Sequence, residues 1–405
     1  MTNFDASVDP NNLKGKSSAM VARWLLGNGN LFCWSSMLTI EDYYSHIFSG
    51  IAFVTLAILA NHEAKLNTRK RNLLGYSLLF IGSLLILVVD LATSGRGGLE
   101  TFIGICVVNA AFGVADAHVQ GGMVGDLSFM KPEFLQSYLA GMAASGIITS
   151  GLRLIIKAAF QDSKNGLRKG AILFFALSAF FELLCVFLYA YAFPRLPTVK
   201  HYRSKAASEG SKTVTADLAA AGNRTFQQEE AEEKPERFER RSNKELLSQN
   251  IDYAIDLFLT YVITMSIMPG FLSENTGSHN LGDWYALVLI AMYNLWNLIG
   301  RNIILVKSLK LESRKGLMII IISRFLLVPA FYFTAKYADE GLMIMLTSVL
   351  GLTTGYFTVC VLTSAPKGYK GPEQNALGNL LTLFLLCGIS VGSALDLLWL
   401  IGKGW

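Results

Sequence analysis

One stretch of the chain holds three residues that could bind a polar solute. In Tyr293-Asn294-Leu295-Trp296-Asn297-Leu298-Ile299-Gly300-Arg301, the residues Asn294, Asn297 and Arg301 fall at i, i+3 and i+7. On an α-helix that spacing puts two amides and a guanidinium on one face. The stretch lies in an apolar run, 284–306, long enough to cross a bilayer. An arginine facing hydrocarbon costs about 2.5–3.5 kcal/mol on the milder insertion scales. The face is therefore expected to look into protein or water, as part of a solute pathway. A second constellation is Asp116 and Gln120, at i, i+4 with Gly113 beside them. An acid and an amide on a glycine-smoothed helix face can contact a polar ligand closely. A third is Trp34, which shares a face with Leu38. Trp34 serves equally well as a core aromatic or as the wall of a pocket. Amide, guanidinium and indole together suit a molecule with a flat ring and several hydroxyls. The amide would meet the ring edge, the arginine the hydroxyls and the indole the ring face.

Other polar residues in apolar runs have plainer expectations. His118 reads as a hydrogen-bonded structural histidine, and Asp126 as a surface partner of Lys131. Arg153 and Lys157 either snorkel or pair with an acid such as Asp90 or Glu182. Asp252 and Asp256 read as gate or interface charges, and Pro269 as a kink. Arg324 and Asp396 need partners that the sequence does not assign.

The elements that position these groups follow from composition. The 405 residues are 52% hydrophobic and 16% charged, against about 25% charged in soluble domains. Mean hydropathy is +0.41. The expected fold class is an all-α polytopic membrane protein of eleven transmembrane helices, split six plus five. The expected organisation is a cytosolic tail over 1–18, a six-helix bundle over 19–194, a cytosolic linker over 195–249 and a five-helix bundle over 250–405. The second span, 46–60, is short for a hydrocarbon core of about 30 Å. Ser204, Ser208, Ser211 and Thr213 in the linker are candidate phosphosites, with plain linker as the alternative. Lys and Arg concentrate in the connections on one side, which places the N-terminus in the cytosol and, with an odd number of spans, Trp405 outside. The polar N-terminal stretch predicts no cleavable signal peptide.

Enzyme motifs are absent: no phosphate-binding Walker loop, no Gly-x-Ser-x-Gly element and no His-Glu-x-x-His. The five cysteines lie in apolar runs without metal-ligand spacing. The residues alone thus predict a secondary carrier or uniporter. No metal, no cofactor, no nucleic-acid partner and no obligate protein partner is expected.

The pieces together resemble the equilibrative nucleoside transporter family over nearly the whole chain. The resemblance rests on Leu26-Gly27-x-Gly29-x-Leu31-x-x-Trp34, Gln120-Gly121, Gly300-Arg301, Gly355-Tyr356-Phe357 and Asn375-Ala376-Leu377-Gly378-Asn379. The runs Thr39–Tyr44 and Val119–Ser128 look most like its plant branch. The resemblance implies a major-facilitator-like, alternating-access fold that moves nucleosides such as adenosine and uridine, with nucleobases as a second class. It implies that Gln120 bonds the base, that Arg301 holds the ribose hydroxyls, and that Trp34 and Leu38 pack on the nucleoside. Gly121 and Gly122 would lie where the family tunes substrate choice. Two departures stand out. The family pattern Asp-x-x-x-Arg reads Asn297-x-x-x-Arg301 here, and the chain looks shortened between Tyr44 and Ile51. The expected mechanism is facilitated diffusion. Its alternatives are proton-coupled symport, a different major-facilitator-like carrier of polar metabolites, or a transport-impaired splice form. The expected location is the plasma membrane, and the tonoplast also fits.

Overall fold

The computed structural model describes residues 16–38, 43–62, 67–93, 98–160, 166–209, 215, 240–268, 272, 280–337 and 339–400. Pro269 and, in the linker, residues 210–214 (with the phosphosite candidates Ser211 and Thr213) and 216–239 lie outside them, as do the side chains of Met37, Leu38 and Tyr43–His46. Every regular element among the described residues is helical. The order is α1 Lys16–Leu38, α2 Tyr43–Asn61, α3 Thr68–Thr93, α4 Leu99–Ser128, α5 Pro132–Phe160, α6 Gly166–Phe187 and α7 Pro197–Ser208. Then follow α8 Asn243–Gln249, α9 Ile251–Met265, α10 Tyr285–Ile303, α11 Arg314–Ser323, α12 Leu327–Tyr337, α13 Glu340–Ser364 and α14 Gly371–Asp396.

Among the described residues seven segments are long and apolar enough to cross a membrane: 68–93, 99–128, 132–160, 168–195, 314–337, 340–364 and 371–396. The helix α2 begins at Tyr43 and has 19 residues, about 28 Å at 1.5 Å per residue. Chain chemistry sets the ends. Asp339 caps α13 by accepting the Leu342 N–H at 2.9 Å, and Ser242 caps α8 through the Glu245 N–H at 3.2 Å. After α6 the chain passes through one wider turn, Leu188–Ala192, and then one tight turn, Phe193–Arg195, whose Pro194 has no N–H to offer a continuing helix. Between α11 and α12 one tighter turn, Arg324–Leu326, interrupts the helix just before Pro329.

The early helices pack as α1 on α5, α2 and α3 on α4, and α3 on α6; the late ones pack as α9 on α14 and α10 on α13. A seam joins the two sets through α5 against α10, and α14 against α2 and α4. At the Lys/Arg-rich end the seam is heavily bonded. The Arg71 guanidinium donates to Asn379 Oδ1 at 3.1 Å, and Gln136 Nε2 to Asn302 Oδ1 at 3.3 Å. Glu209 Oε2 accepts the Gly371 N–H at 2.8 Å, and Asn243 Nδ2 reaches the Ala60 carbonyl at 3.4 Å. At the opposite end Ser390 Oγ donates to the Ser49 carbonyl at 2.9 Å, and Lys157 lies 5.0 Å above the Trp284 ring.

Several buried charges differ from expectation. Asp126 is fully buried and pairs with Arg203 of α7, not at the surface with Lys131. A helix of the linker, α7, packs on α1 and α14 and reaches α4 through the Arg203 side chain, which sequence spacing cannot reveal. Asp90 pairs with Arg168 at 3.1 Å rather than with Arg153 or Lys157. Glu182 accepts from the Cys33 thiol at 3.3 Å. His118 Nδ1 lies 2.8 Å from the Val114 carbonyl, as a structural histidine would.

Candidate functional site

A cavity of about 820 Å³, counting the space at its mouth, lies midway along the seam. That is the size range of small-molecule sites, about 300–1,000 Å³. Six sequence-predicted residues line it: Trp34, Asp116, Gln120, Asn294, Asn297 and Arg301. They come from α1, α4 and α10, so separate elements converge on one space.

Helix α10 supplies the charged side. It lies backbone to backbone on α13, because Gly351 and Gly355 leave no Cβ between α13 and the Tyr293 and Asn297 carbonyls. That seating fixes the face carrying Tyr293, Asn297 and Arg301. Arg301 Nε donates to Asn297 Oδ1 at 3.0 Å, and Asn297 Nδ2 donates to the Tyr293 hydroxyl at 3.2 Å. Arg301 Nη1 donates to the Leu139 carbonyl of α5. Nη2 makes no hydrogen bond among the described residues and is not sealed off, so it faces the cavity. No carboxylate pairs with this guanidinium among the described residues.

Gln120 supplies the opposite handle. Its amide also makes no hydrogen bond among the described residues and is open to the cavity. Asn294 donates to Ser150 Oγ at 2.8 Å and keeps its own oxygen accessible. It fits because α5 has Gly146 there; a Cβ at that position would lie 2.5 Å from Asn294 Oδ1. The Trp34 ring packs on Phe48 with centroids 4.4 Å apart, making an aromatic wall. Asp116 is different. It faces the Asn30 side chain, yet neither carboxylate oxygen has a hydrogen bond or reaches the cavity surface.

Gly121 and Gly122 stand apart from the cavity. The absent Cβ of Gly121 makes room for Arg71 and Leu56, and that of Gly122 for Asn72. Leu38 is in α1, but its side chain lies outside the described residues.

The cavity also uses residues that the sequence left unremarked. Met142, Met265 and Met268 supply a soft wall that can repack around different rings. Tyr261 and Thr358 bond to each other at 3.2 Å beside Tyr293. Methionine and tyrosine in an apolar span look like core or lipid-facing residues. Only Tyr293 carried a signal, one turn before Asn297 on the same helix face.

An all-helical bundle with a central cavity on a seam between early and late helices has the architecture of major facilitator structures. The solved structure of the proton:xylose symporter XylE, of the major facilitator superfamily, superposes with TM-score 0.61. It is 12% identical and covers 95% of this chain and 89% of its own. A bacterial homologue of the iron transporter ferroportin, in an outward-facing state, gives 0.58 at 13% identity, covering 94% and 91%. At such identity these establish the fold alone.

The nucleoside transporter family model matches residues 102–401, and the chain belongs to that family. Equilibrative nucleotide transporter 3 of Arabidopsis thaliana is 61% identical over 407 residues, covering 97% of each chain. Equilibrative nucleotide transporter 6 of the same plant is 60% identical with the same coverage. Equilibrative nucleotide transporter 1 is 29% identical, over 95% of this chain and 86% of its own. The protein is a multi-pass membrane transporter of nucleosides rather than an enzyme.

Proposed function

We propose that the chain moves nucleosides such as adenosine and uridine by facilitated diffusion, with Gln120 on the base, Arg301 on the ribose hydroxyls and Trp34 against the ring. One observation carries this reading: Arg301 Nη2 and the Gln120 amide are both open to one cavity and without protein partners among the described residues. Such donors are costly to leave unpaired and await a ligand with oxygens and a ring edge. The test is uptake of labelled adenosine and uridine by cells expressing wild type or Arg301→Ala at matched surface levels. Loss of uptake in the variant is expected, and unchanged uptake removes Arg301 from the site. Gln120→Ala should change the competition among bases more than the maximal rate; a uniform loss would give Gln120 a packing role.

The same reading carries eleven crossings in a six-plus-five plan around the cytosolic linker, with the N-terminus inside and the C-terminus outside. The location is the plasma membrane, with the tonoplast as the other candidate. The support is the clustering of Lys16, Arg69, Lys131, Lys200, Lys315 and Lys367 at one end of the helices. Alkylation of single cysteines placed at Lys200 and at Leu99 should come from opposite sides of the membrane.

Proton-coupled symport is the second reading, favoured by Asp116. Its carboxylate lies just behind the cavity wall, with no cation paired to it among the described residues. Uptake measured across external pH, with and without a protonophore, separates the two. A flat profile insensitive to protonophore fits facilitated diffusion. A several-fold rise on acidification that the protonophore abolishes fits symport.

A further inference from the structure

Arg301 is held from two directions by the same helix. Its side chain donates to the Leu139 carbonyl of α5. In return, Gln136 of α5 donates through Nε2 to the Arg301 backbone carbonyl at 3.2 Å. Residues 136 and 139 lie at i, i+3, so both partners sit on one face of α5. The bond to Arg301 also has a backbone reason. Arg301 lies in the last turn of α10, which ends at Ile303, where carbonyls run out of N–H partners within the helix. Gln136 supplies a donor there, and its second acceptor is Asn302 Oδ1 at 3.3 Å. It is buried, so water does not compete freely for these bonds.

We infer that Gln136 is a positioning residue for nucleoside recognition. It touches no cavity surface and acts through Arg301. By fixing the Arg301 backbone against α5, it sets the distance from which the guanidinium spans both the Leu139 carbonyl and the cavity. Without this clasp the last turn of α10 is hydrogen-bonded to α5, among the described residues, only through the Arg301 side chain. That side chain would then have to choose between bracing the seam and holding the ligand. The inference rests on the reading that Arg301 holds the ribose hydroxyls.

The experiment uses the purified full-length chain in nanodiscs and measures binding of labelled adenosine. The variants are Gln136→Met, Asn302→Ala and Arg301→Ala. Methionine keeps the length and apolar volume of glutamine but has no N–H donor. Gln136→Met is expected to raise the adenosine Kd about five- to tenfold, the loss of a single net hydrogen bond. In cells its KM should rise more than its maximal rate falls. Asn302→Ala removes the second acceptor and the Asn302 Nδ2 bond to the Leu298 carbonyl, leaves the Gln136–Arg301 bond in place, and should bind within about twofold of wild type. Should Gln136→Met fail to reach the membrane, Gln136→Leu, which also has no N–H donor and adds no charge, makes the same comparison.

The outcomes separate cleanly. Weak binding by Gln136→Met with near-normal melting supports the inference. Wild-type Kd in Gln136→Met, alongside lost binding in Arg301→Ala, overturns it and leaves the site reading standing. Weakening that merely tracks a lowered melting temperature also overturns it, because a packing role would do that. Wild-type binding by Arg301→Ala removes the site reading and this inference together.

Discussion

Two arginines lie buried in the late helices, Arg301 and Arg324, each 4% exposed and neither paired with a carboxylate among the described residues. They are held very differently. Arg324 sits in the tight turn between α11 and α12. Its Nη1 donates to the Thr260 carbonyl at 3.1 Å, and its Nη2 donates to Thr264 Oγ1 at 3.0 Å and Thr354 Oγ1 at 2.7 Å. Both ends of its fork are spent on α9 and α13. Arg301 spends Nε and Nη1 on protein and leaves Nη2 to the cavity. Arg324 also keeps an unbonded donor, Nε, but that nitrogen is sealed inside the protein, so Arg324 is a brace; Arg301, whose open donor faces the cavity, is a binding group. Burial and type, which the two share, do not distinguish them; the place of the unspent donor does.

The comparison breaks most sharply under alanine and methionine scanning. Arg301→Ala should cut nucleoside uptake at least tenfold at unchanged surface level. A hydrogen bond to a charged group is worth about 1.5–3 kcal/mol, and the Asn297 oxygen and Leu139 carbonyl lose their donor as well. Radiolabelled uptake normalised to surface biotinylation checks this. Arg324→Met should do the reverse. Protein yield and detergent melting temperature should fall, on the order of 1–3 kcal/mol for each acceptor stranded. Adenosine Kd per folded molecule should stay within about twofold, since one unspent hydrogen bond sets the scale of any change. Tight binding in Arg301→Ala, or lost binding with a normal melt in Arg324→Met, would erase the distinction.

The site was more legible in the sequence than the brace. Arg301, Asn297 and Asn294 stand out because amides and a guanidinium are costly in a bilayer and recur at helical spacing. Gln120 and Asp116 stand out for the same reason. The partners of Arg324 are threonines, which an apolar span tolerates at little cost and which therefore give no signal. The i, i+4 spacing of Thr260 and Thr264 could have raised them, but Thr354 comes from another helix. The helical class and the major facilitator fold follow from apolar run length and the family motifs. The Asp126–Arg203 pair does not, because it depends on α7 turning back onto the ends of α1 and α14, from where Arg203 reaches α4. Gly121 and Gly122 show the converse. Their motif was visible, but their geometry is that of room for Arg71 and Asn72 rather than a cavity wall.

A smaller effect sharpens the binding side of the comparison. Asn297→Asp gives Arg301 Nε a charged acceptor at the position now occupied by Asn297 Oδ1, 3.0 Å away. Charge-assisted bonds are roughly twice as strong as neutral ones. The guanidinium should be held more firmly while Nη2 stays open, so uptake persists with KM changed by no more than about threefold, within one such bond. A variant that lost transport entirely would mean that Arg301 must swing freely between α5 and the ligand.

Thr354→Val is the mildest change and probes the brace alone. Valine has the shape of threonine without the hydroxyl, so packing is kept and one acceptor is removed. Arg324 Nη2 retains Thr264 Oγ1, but Thr264 also loses the Thr354 hydroxyl 2.8 Å away. The expected cost is about 1 kcal/mol of stability, read as a lower melting temperature. Adenosine Kd should not move, because the Thr354 hydroxyl makes no bond to a cavity-lining residue, and the Thr354 carbonyl that accepts from Thr358 Oγ1 at 2.7 Å is kept in valine. If Kd rose while the melt held, the brace would be acting on the site through Tyr293, which lies within electrostatic reach of Arg324 and lines the cavity. Arg324 would then belong to the recognition apparatus, and the open donor would no longer be what separates the two arginines.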